Sequence, residues 1–325
     1  MGSRIVATGR ALPRTAVTNQ DLARFMDTSD EWIRSRTGIG QRYTLRSGES
    51  LVDIAADASR IALSRAGLKP ADLDAIMVGT VSSEYSFPSF ACQLQNALGA
   101  DSSAAFDLAA ACSGFVYALS MADATMRIGD FQRVLVVGTD ALSTFVDWSD
   151  RRTAVLFGDG AGAAVLVSEP GDRGVLGSVL RASGKHWELL SCRTSGVRSP
   201  LDSEVRRDRE ETIKMKGPEL FKIAVKSMEE VSRQVAARAG VRIEDVNLVV
   251  GHQANRRIIS AVAERLGLPE EKIFINIERY GNTSAASVPI ALDEALEQGR
   301  IRDRDLVMLN ACGGGLTWGA NLLRW

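Results

Sequence analysis

The segment Arg65–Gly79, RAGLKPADLDAIMVG, returns in altered form as Arg238–His252, RAGVRIEDVNLVVGH. In both, a helix ends at glycine, a short turn carries an aspartate in register, and an apolar strand follows. A second pair, Phe131–Ala141 (FQRVLVVGTDA) and Asp303–Gly313 (DRDLVMLNACG), repeats a polar lead, an apolar strand and a small-residue loop. The offsets are 173 and about 172 residues, so one β/α unit of about half the chain occurs twice. The join falls near Ser168–Gly174, which divides the chain into residues 1–172 and 173–325. Continuous apolar strands such as Val134–Val137 and Leu306–Leu309 suit sheets covered on both faces. With helices between them, the expectation is a layered α/β fold of two pseudo-symmetric halves. The one long polar insertion, Arg193–Gly217, reads as a solvated surface loop or a lid.

Several function classes drop out early. A chain of 325 residues buries enough surface to need no disulfides, and its four cysteines show no metal-like spacing. With only two histidines, no metal site is expected. A formal charge of −1 argues against nucleic acid as a partner. No apolar run reaches membrane-spanning length, and no basic-then-apolar leader opens the sequence, so a cytoplasmic setting is expected and no membrane.

The stretch Asp107–Phe115, DLAAACSGF, places Cys112 where an extended run passes into a helix ending at Gly129. Unpaired N–H groups and the positive dipole end there favour thiolate over thiol. The competing reading is a buried, inert cysteine. His252 alters the balance, since it follows the strand VNLVVG and opens HQANRRIISAVAERLG, read as a helix ending at Gly267. Asn282 follows an expected strand, Ile273–Ile277, and opens another small-residue helix, where it could equally serve as a cap. Equivalent edges of two related halves would face each other and gather Cys112, His252 and Asn282 into one pocket. Nucleophile, imidazole and amide together suggest acyl transfer through a thioester.

Two glycine clusters read differently. Gly158–Ala163, GDGAGA, runs into a strand rather than a helix, which rejects a dinucleotide site and leaves a tight turn with close backbone approach. Cys312–Gly315, CGGG, is either a packing turn or a set of N–H donors for an oxyanion hole.

Six segments in order, DTSDEWIRSRTGI, AAACSGF, FGDGAGAAVL, GHQANRRIIS, GNTSAASVP and GGGLTWG, closely resemble those of the β-ketoacyl-acyl-carrier-protein synthase III family. The resemblance spans nearly the whole chain. It implies the thiolase fold, two pseudo-symmetric halves in αβαβα layers, and a homodimer. It implies that Cys112 takes an acyl group from acyl-CoA, a substrate rather than a permanently bound cofactor. Condensation with a malonyl-acyl carrier protein would follow, His252 and Asn282 donating hydrogen bonds to the enolate. The N–H groups of Cys112 and Gly314 would form the oxyanion hole. Trp32 and Arg151 match positions that sandwich the adenine of coenzyme A. Phe87 matches a residue reaching across the dimer, and Leu142, Phe157 and Cys312 would complete the acyl pocket. For the acidic carrier protein, the expected docking residues are Arg256, Arg257, Arg265 and Lys222, with Glu264 interrupting the patch.

The sequence also departs from the family. Cys312 stands where phenylalanine is usual before the triple glycine, which opens the question of acyl preference. Pro218 replaces a frequent cofactor-contacting asparagine. The alternative function is a relative in secondary metabolism that loads an unusual acyl starter.

Overall fold

The computed structural model describes residues 2–193 and 212–325; most of the Arg193–Gly217 insertion, read above as a loop or lid, lies outside them. Two sheets carry the repeat. The first has the order β1-β7-β6-β4-β5, formed by β1 (Gly2–Ala11), β4 (Ala75–Gly79), β5 (Ala104–Leu108), β6 (Arg133–Ala141) and β7 (Asp159–Glu169). The second has the order β8-β13-β12-β11, from β8 (Gly174–Ala182), β11 (Leu248–Gly251), β12 (Leu306–Gly313) and β13 (Thr317–Arg324). The pairing sense matches strand for strand. β4 lies parallel to β6 as β11 does to β12, and both sheets close with antiparallel strands. Even the joints agree: Asp74 accepts from the Arg133 N–H as Asn247 accepts from the Leu306 N–H, both at 2.8 Å.

Helices form three layers around the sheets. α3 (Leu51–Ala66) and α4 (Phe90–Leu98) cover the outer face of the first sheet. α7 (Gly217–Arg238) and α8 (Arg256–Leu266) cover the outer face of the second. Between the sheets lie α5 (Gly114–Ile128), which buries most of its length, and α10 (Ser287–Glu297), buried from Ser287 to Ala295. Their small residues, Ala118, Ala122, Ala291 and Ala295, let both sheets approach. This is the five-layered thiolase fold.

Smaller elements roof the ends of the strands: β2 (Ala16–Thr18), β3 (Gln41–Tyr43), α1 (Asn19–Ala23), α2 (Asp30–Thr37), α6 (Arg151–Ala154), β9 (Leu190–Ser191), β10 (Lys214–Met215) and α9 (Ile277–Tyr280). The fully buried Arg42 ties this roof down. Its guanidinium donates to Asn19 Oδ1 (2.8 Å), Val17 O (3.2 Å) and Val155 O (2.7 Å).

Three local expectations change. The strand expected over Ile273–Ile277 shrinks to one bridge, Val249 with Ile273. Beyond it the Gln253 side chain takes over the ladder, donating to Phe274 O (3.1 Å) and accepting from Asn276 N–H (3.1 Å). The helix after His252 starts four residues late, at Arg256, because Asn255 caps it through the Arg257 N–H. GDGAGA is not a turn: its last five residues begin β7. The close approach is real, since a Cβ on Gly162 would lie 2.7 Å from the Pro289 side chain of α10.

Candidate active site

Cys112 occupies a single 3₁₀ turn, Ala111–Ser113, between β5 and α5. Ala111 holds φ at 45°, a left-handed value uncommon outside glycine, and so breaks the strand direction sharply before the nucleophile. The end of β12 presses against this turn. A Cβ on Gly313 would sit 2.6 Å from the Cys112 nitrogen and 3.0 Å from that of Ser113, so only glycine fits. Cys112 is 5% exposed. Burial pushes it up to about 12, outweighing the lowering by a hydrogen bond with Ser284. Resting Cys112 is therefore a thiol, contrary to the helix-start expectation, because desolvation wins.

His252 directly follows β11, and its N–H extends the ladder to Asn310 O (2.8 Å). Burial pushes the imidazole down to about 4, so it is neutral near pH 7. Its Nδ1 is buried without a hydrogen-bond partner among the described residues. Asn282 follows α9 and is laced to the start of β7: its N–H donates to Leu156 O (2.9 Å), and its carbonyl accepts from Gly158 N–H (3.0 Å). Its side-chain Oδ1 accepts from Ser284 N–H (2.9 Å), which leaves the NH₂ end toward the cavity that Asn282 lines. Asn282 caps no helix, since the 3₁₀ turn Ser284–Ala286 has Thr283 at its N-cap and α10 starts only at Ser287 with Ala286 at its own.

Two cavities share Cys112, Phe157 and Leu190 in their walls. The first, about 220 Å³, is apolar and adds Val81, Leu142, Phe145 and Ile213, with Gly314 at its edge. The second, about 130 Å³, holds His252, Asn282 and Cys312. Leu142 therefore meets the nucleophile on the first side, Phe157 stands between the two, and Cys312 faces the second. Burial also pushes the Cys312 thiol up to about 12. Phe87 lines neither cavity of its own chain and is 86% exposed. Among the described residues, no group of three or more His, Cys, Asp or Glu side chains could hold a metal, and no helix is long and apolar enough to cross a membrane.

Outside the cavities, the Arg151 guanidinium stacks on Trp32 at 4.9 Å and is held by Asp27 at 3.0 Å. Arg36, which sequence reading missed, stacks on the same ring at 4.6 Å. Its signal was present, since it stands one helical turn after Trp32. A flat ring between Trp32 and Arg151 needs about 7 Å, two stacking contacts, so the guanidinium must swing to admit one. Of the four basic docking residues, Arg256 pairs with Glu270 (2.9 Å) and Arg265 with Glu229 (3.0 Å). Arg257 donates to Ser35 O of α2 (3.0 Å), and Lys222 is exposed on α7. Sequence reading also missed Ser284, whose hydroxyl lies 3.4 Å from the Cys112 sulfur. It opens the second half's own 3₁₀ turn, Ser284–Ala286, as Ala111 opens the turn that holds Cys112.

Comparisons with known proteins address the chain as a whole. Residues 106–184 match the family model described as 3-oxoacyl-[acyl-carrier-protein] synthase III, and residues 236–325 match its C-terminal model. The chain is 48% identical over 325 residues to the β-ketoacyl-[acyl-carrier-protein] synthase III of Aquifex aeolicus, covering 100% of both chains. The crystal structure of that protein superposes with a TM-score of 0.93. The synthase III of Rhizorhabdus wittichii is 47% identical, covering 99% of this chain and 98% of that one. A priming β-ketosynthase from a polyketide biosynthetic pathway is 33% identical, with a TM-score of 0.92 over 99% of this chain and 96% of that one. A cysteine between two cavities, one of them holding a histidine and an asparagine, thus coincides with full-length likeness, and the chain belongs to the β-ketoacyl-[acyl-carrier-protein] synthase III family.

Proposed function

We propose that this condensing enzyme transfers an acyl group, acetyl in the simplest case, from acyl-CoA to Cys112. It then joins that group to malonyl-acyl carrier protein with loss of CO₂, giving a 3-oxoacyl-carrier protein and starting fatty acid synthesis. The observation that carries this reading is the position of Cys112 in the walls of both cavities. An acyl chain held on the sulfur extends into the apolar cavity, and the malonyl thioester enters the other. The Cys112 and Gly314 N–H groups stabilise the oxyanion of the acylation step. Loss of CO₂ leaves an enolate, and the neutral His252 and the Asn282 amide donate hydrogen bonds to its oxygen. Its carbon attacks the acyl-Cys112 carbonyl and releases the thiol. Residues 1–172 would then supply the nucleophile, and residues 173–325 the imidazole and amide.

The adenine of coenzyme A would displace Arg151 from Trp32 and be clasped between them. A homodimer is supported by the position of β5 at a sheet edge and by exposed apolar residues near it, Tyr85, Phe87 and Phe106. Phe87 would then reach the partner's apolar cavity. The cytoplasm, where acyl-CoA and carrier protein meet, is the corresponding setting. Cys312 at the usual phenylalanine position, with the likeness to a polyketide priming enzyme, favours a second reading with an unusual starter. Competition among acetyl-, branched and medium-chain acyl-CoA separates the two.

The test of the main reading is intact-protein mass after acyl-CoA addition. Wild type should gain one acyl group and Cys112→Ser none. His252→Ala and Asn282→Ala should still acylate, with malonyl decarboxylation slowed about 10²–10³-fold. An acyl adduct persisting in Cys112→Ser would overturn the assignment.

A further inference from the structure

The amide of Asn282 has one fixed end. Its Oδ1 accepts from Ser284 N–H (2.9 Å), which turns the NH₂ toward the cavity that also holds His252. The direction of that amide therefore depends on where the 3₁₀ turn Ser284–Ala286 sits. Ser284 opens the turn at φ 51°, a left-handed value that a non-glycine residue keeps only where its surroundings hold it. The end of β6 supplies the hold. Gly138 and Asp140 lie two residues apart on this strand and so face the same side of the sheet. A Cβ on Gly138 would collide with Ala285 O, so the turn rests directly on the strand. Asp140, fully buried, accepts from Ala285 N–H (3.2 Å) through one carboxylate oxygen. Its other oxygen accepts from Thr80 Oγ1 (3.1 Å), Val81 N–H (2.9 Å) and Ser82 Oγ (2.8 Å), just beyond the end of β4.

We propose that Asp140 is a positioning residue for the malonyl half-reaction, acting through the turn that directs the Asn282 amide. The inference rests on Asn282 donating to the enolate in the proposed function. A backbone N–H can only donate, and one meets each oxygen of Asp140, so both oxygens must accept. A carboxylate does this and a carboxamide does not. Asparagine at this position would keep its oxygen on the side with three donors and turn its NH₂ against Ala285 N–H, donor against donor. The turn would lose its hydrogen bond to β6, and Ser284 N–H, one residue away, would move with it. The Asn282 backbone would stay, because Leu156 O and Gly158 N–H hold it from β7's side. The disturbance therefore falls on the direction of the side-chain amide. Cys112 is held separately, by the close contact of its own turn with Gly313.

A double-mutant cycle read on both half-reactions tests this. Asp140→Asn exchanges one oxygen for NH₂ at nearly unchanged volume. Release of CO₂ from malonyl-carrier protein should fall about 10- to 100-fold, since misplacing a reacting group by about 1 Å costs on the order of 10²-fold. Acylation by acyl-CoA, followed by mass, should stay within about threefold of wild type. In the Asn282→Ala background, Asp140→Asn should slow CO₂ release by less than about threefold, because the amide it acts through is gone. Gly138→Ala pushes the same turn from its other support and should show the same split between half-reactions. A merely structural role would slow both half-reactions together in each variant and add in full to Asn282→Ala. Either result overturns the inference, as does CO₂ release within about threefold of wild type in Asp140→Asn. Unchanged CO₂ release in Asn282→Ala alone would instead refute the role given to Asn282, and the inference would fall with it.

Discussion

Gly313→Ala isolates the contact on which the nucleophile's position depends. The added methyl would lie 2.6 Å from the Cys112 nitrogen, 3.0 Å from the Ser113 nitrogen and 3.1 Å from the Ala110 oxygen. All three are backbone atoms, so no side chain can turn aside, and either β12 or the nucleophile turn must shift by several tenths of an ångström. Overpacking of this kind costs about 1–3 kcal/mol. A chain of 325 residues gains about 0.7 kcal/mol/K of entropy on unfolding, so Tm should fall by only about 1.5–4 °C. Activity should respond far more, because misplacing a reacting group by about 1 Å costs on the order of 10²-fold. The assays are calorimetry and single-turnover acylation followed by mass. A folded variant within about 4 °C of wild type and about 100-fold slower is expected. Acylation within about threefold of wild type would show that the turn does not depend on this contact.

Four further outcomes follow from the geometry. Lys222→Glu should raise KM for malonyl-carrier protein and leave acyl-CoA self-acylation unchanged. Because exposed charges are screened over about 8 Å at physiological ionic strength, added salt should weaken wild type toward the variant. Arg257→Glu should raise KM for both substrates, since Arg257 also holds the end of α2, the helix that carries Trp32; steady-state kinetics at several salt concentrations separate the two. Arg42→Ala should destabilise the fold by about 3 kcal/mol or more in urea titrations, because it strands three buried acceptors. For His252, the folded pKa of about 4 lies below the unfolded value of about 6.5. The unfolded chain therefore binds the proton first as pH falls. Its contribution is intact above about pH 6.5 and lost toward about pH 4, a change of about 3 kcal/mol. Wild type should lose about 2–3 kcal/mol more than His252→Asn between about pH 7 and 4.5 in denaturant titrations.

Patterns that depend on local order were legible in the sequence. The repeat announced itself through apolar strands behind glycine-ended helices, and the segment after Cys112 read directly as a helix ending at Gly129. The ends of β5 and β11 then placed Cys112 and His252 beside one cavity, which Asn282 also lines. What depended on side chains reaching across the fold did not show. Gln253 replaces main-chain pairing beside β11, so a segment with strand composition is not a strand. The depth of burial at Cys112 reverses the protonation state that its helix-start position suggested. Nothing in its own segment marks Arg42 as the fully buried arginine that ties three backbone and side-chain acceptors together. Ser284 was missed because only the fold brings its hydroxyl beside the Cys112 sulfur from the matching turn of the second half.

The shared middle layer bears on how such a chain arose. α10, from the second half, packs against β1 and β7 of the first sheet. Its buried Asp293 accepts from Thr8 and Arg65 of the first half, both at 2.6 Å. A single-copy forebear would have had neither partner for its inner helix and could cover that face only against a second molecule of itself. Tandem fusion replaced that encounter with a tether, at an effective concentration on the order of millimolar. Once association no longer required identical partners, the two copies were free to specialise. One kept a thiol at the turn before its inner helix, and the other placed a hydroxyl there.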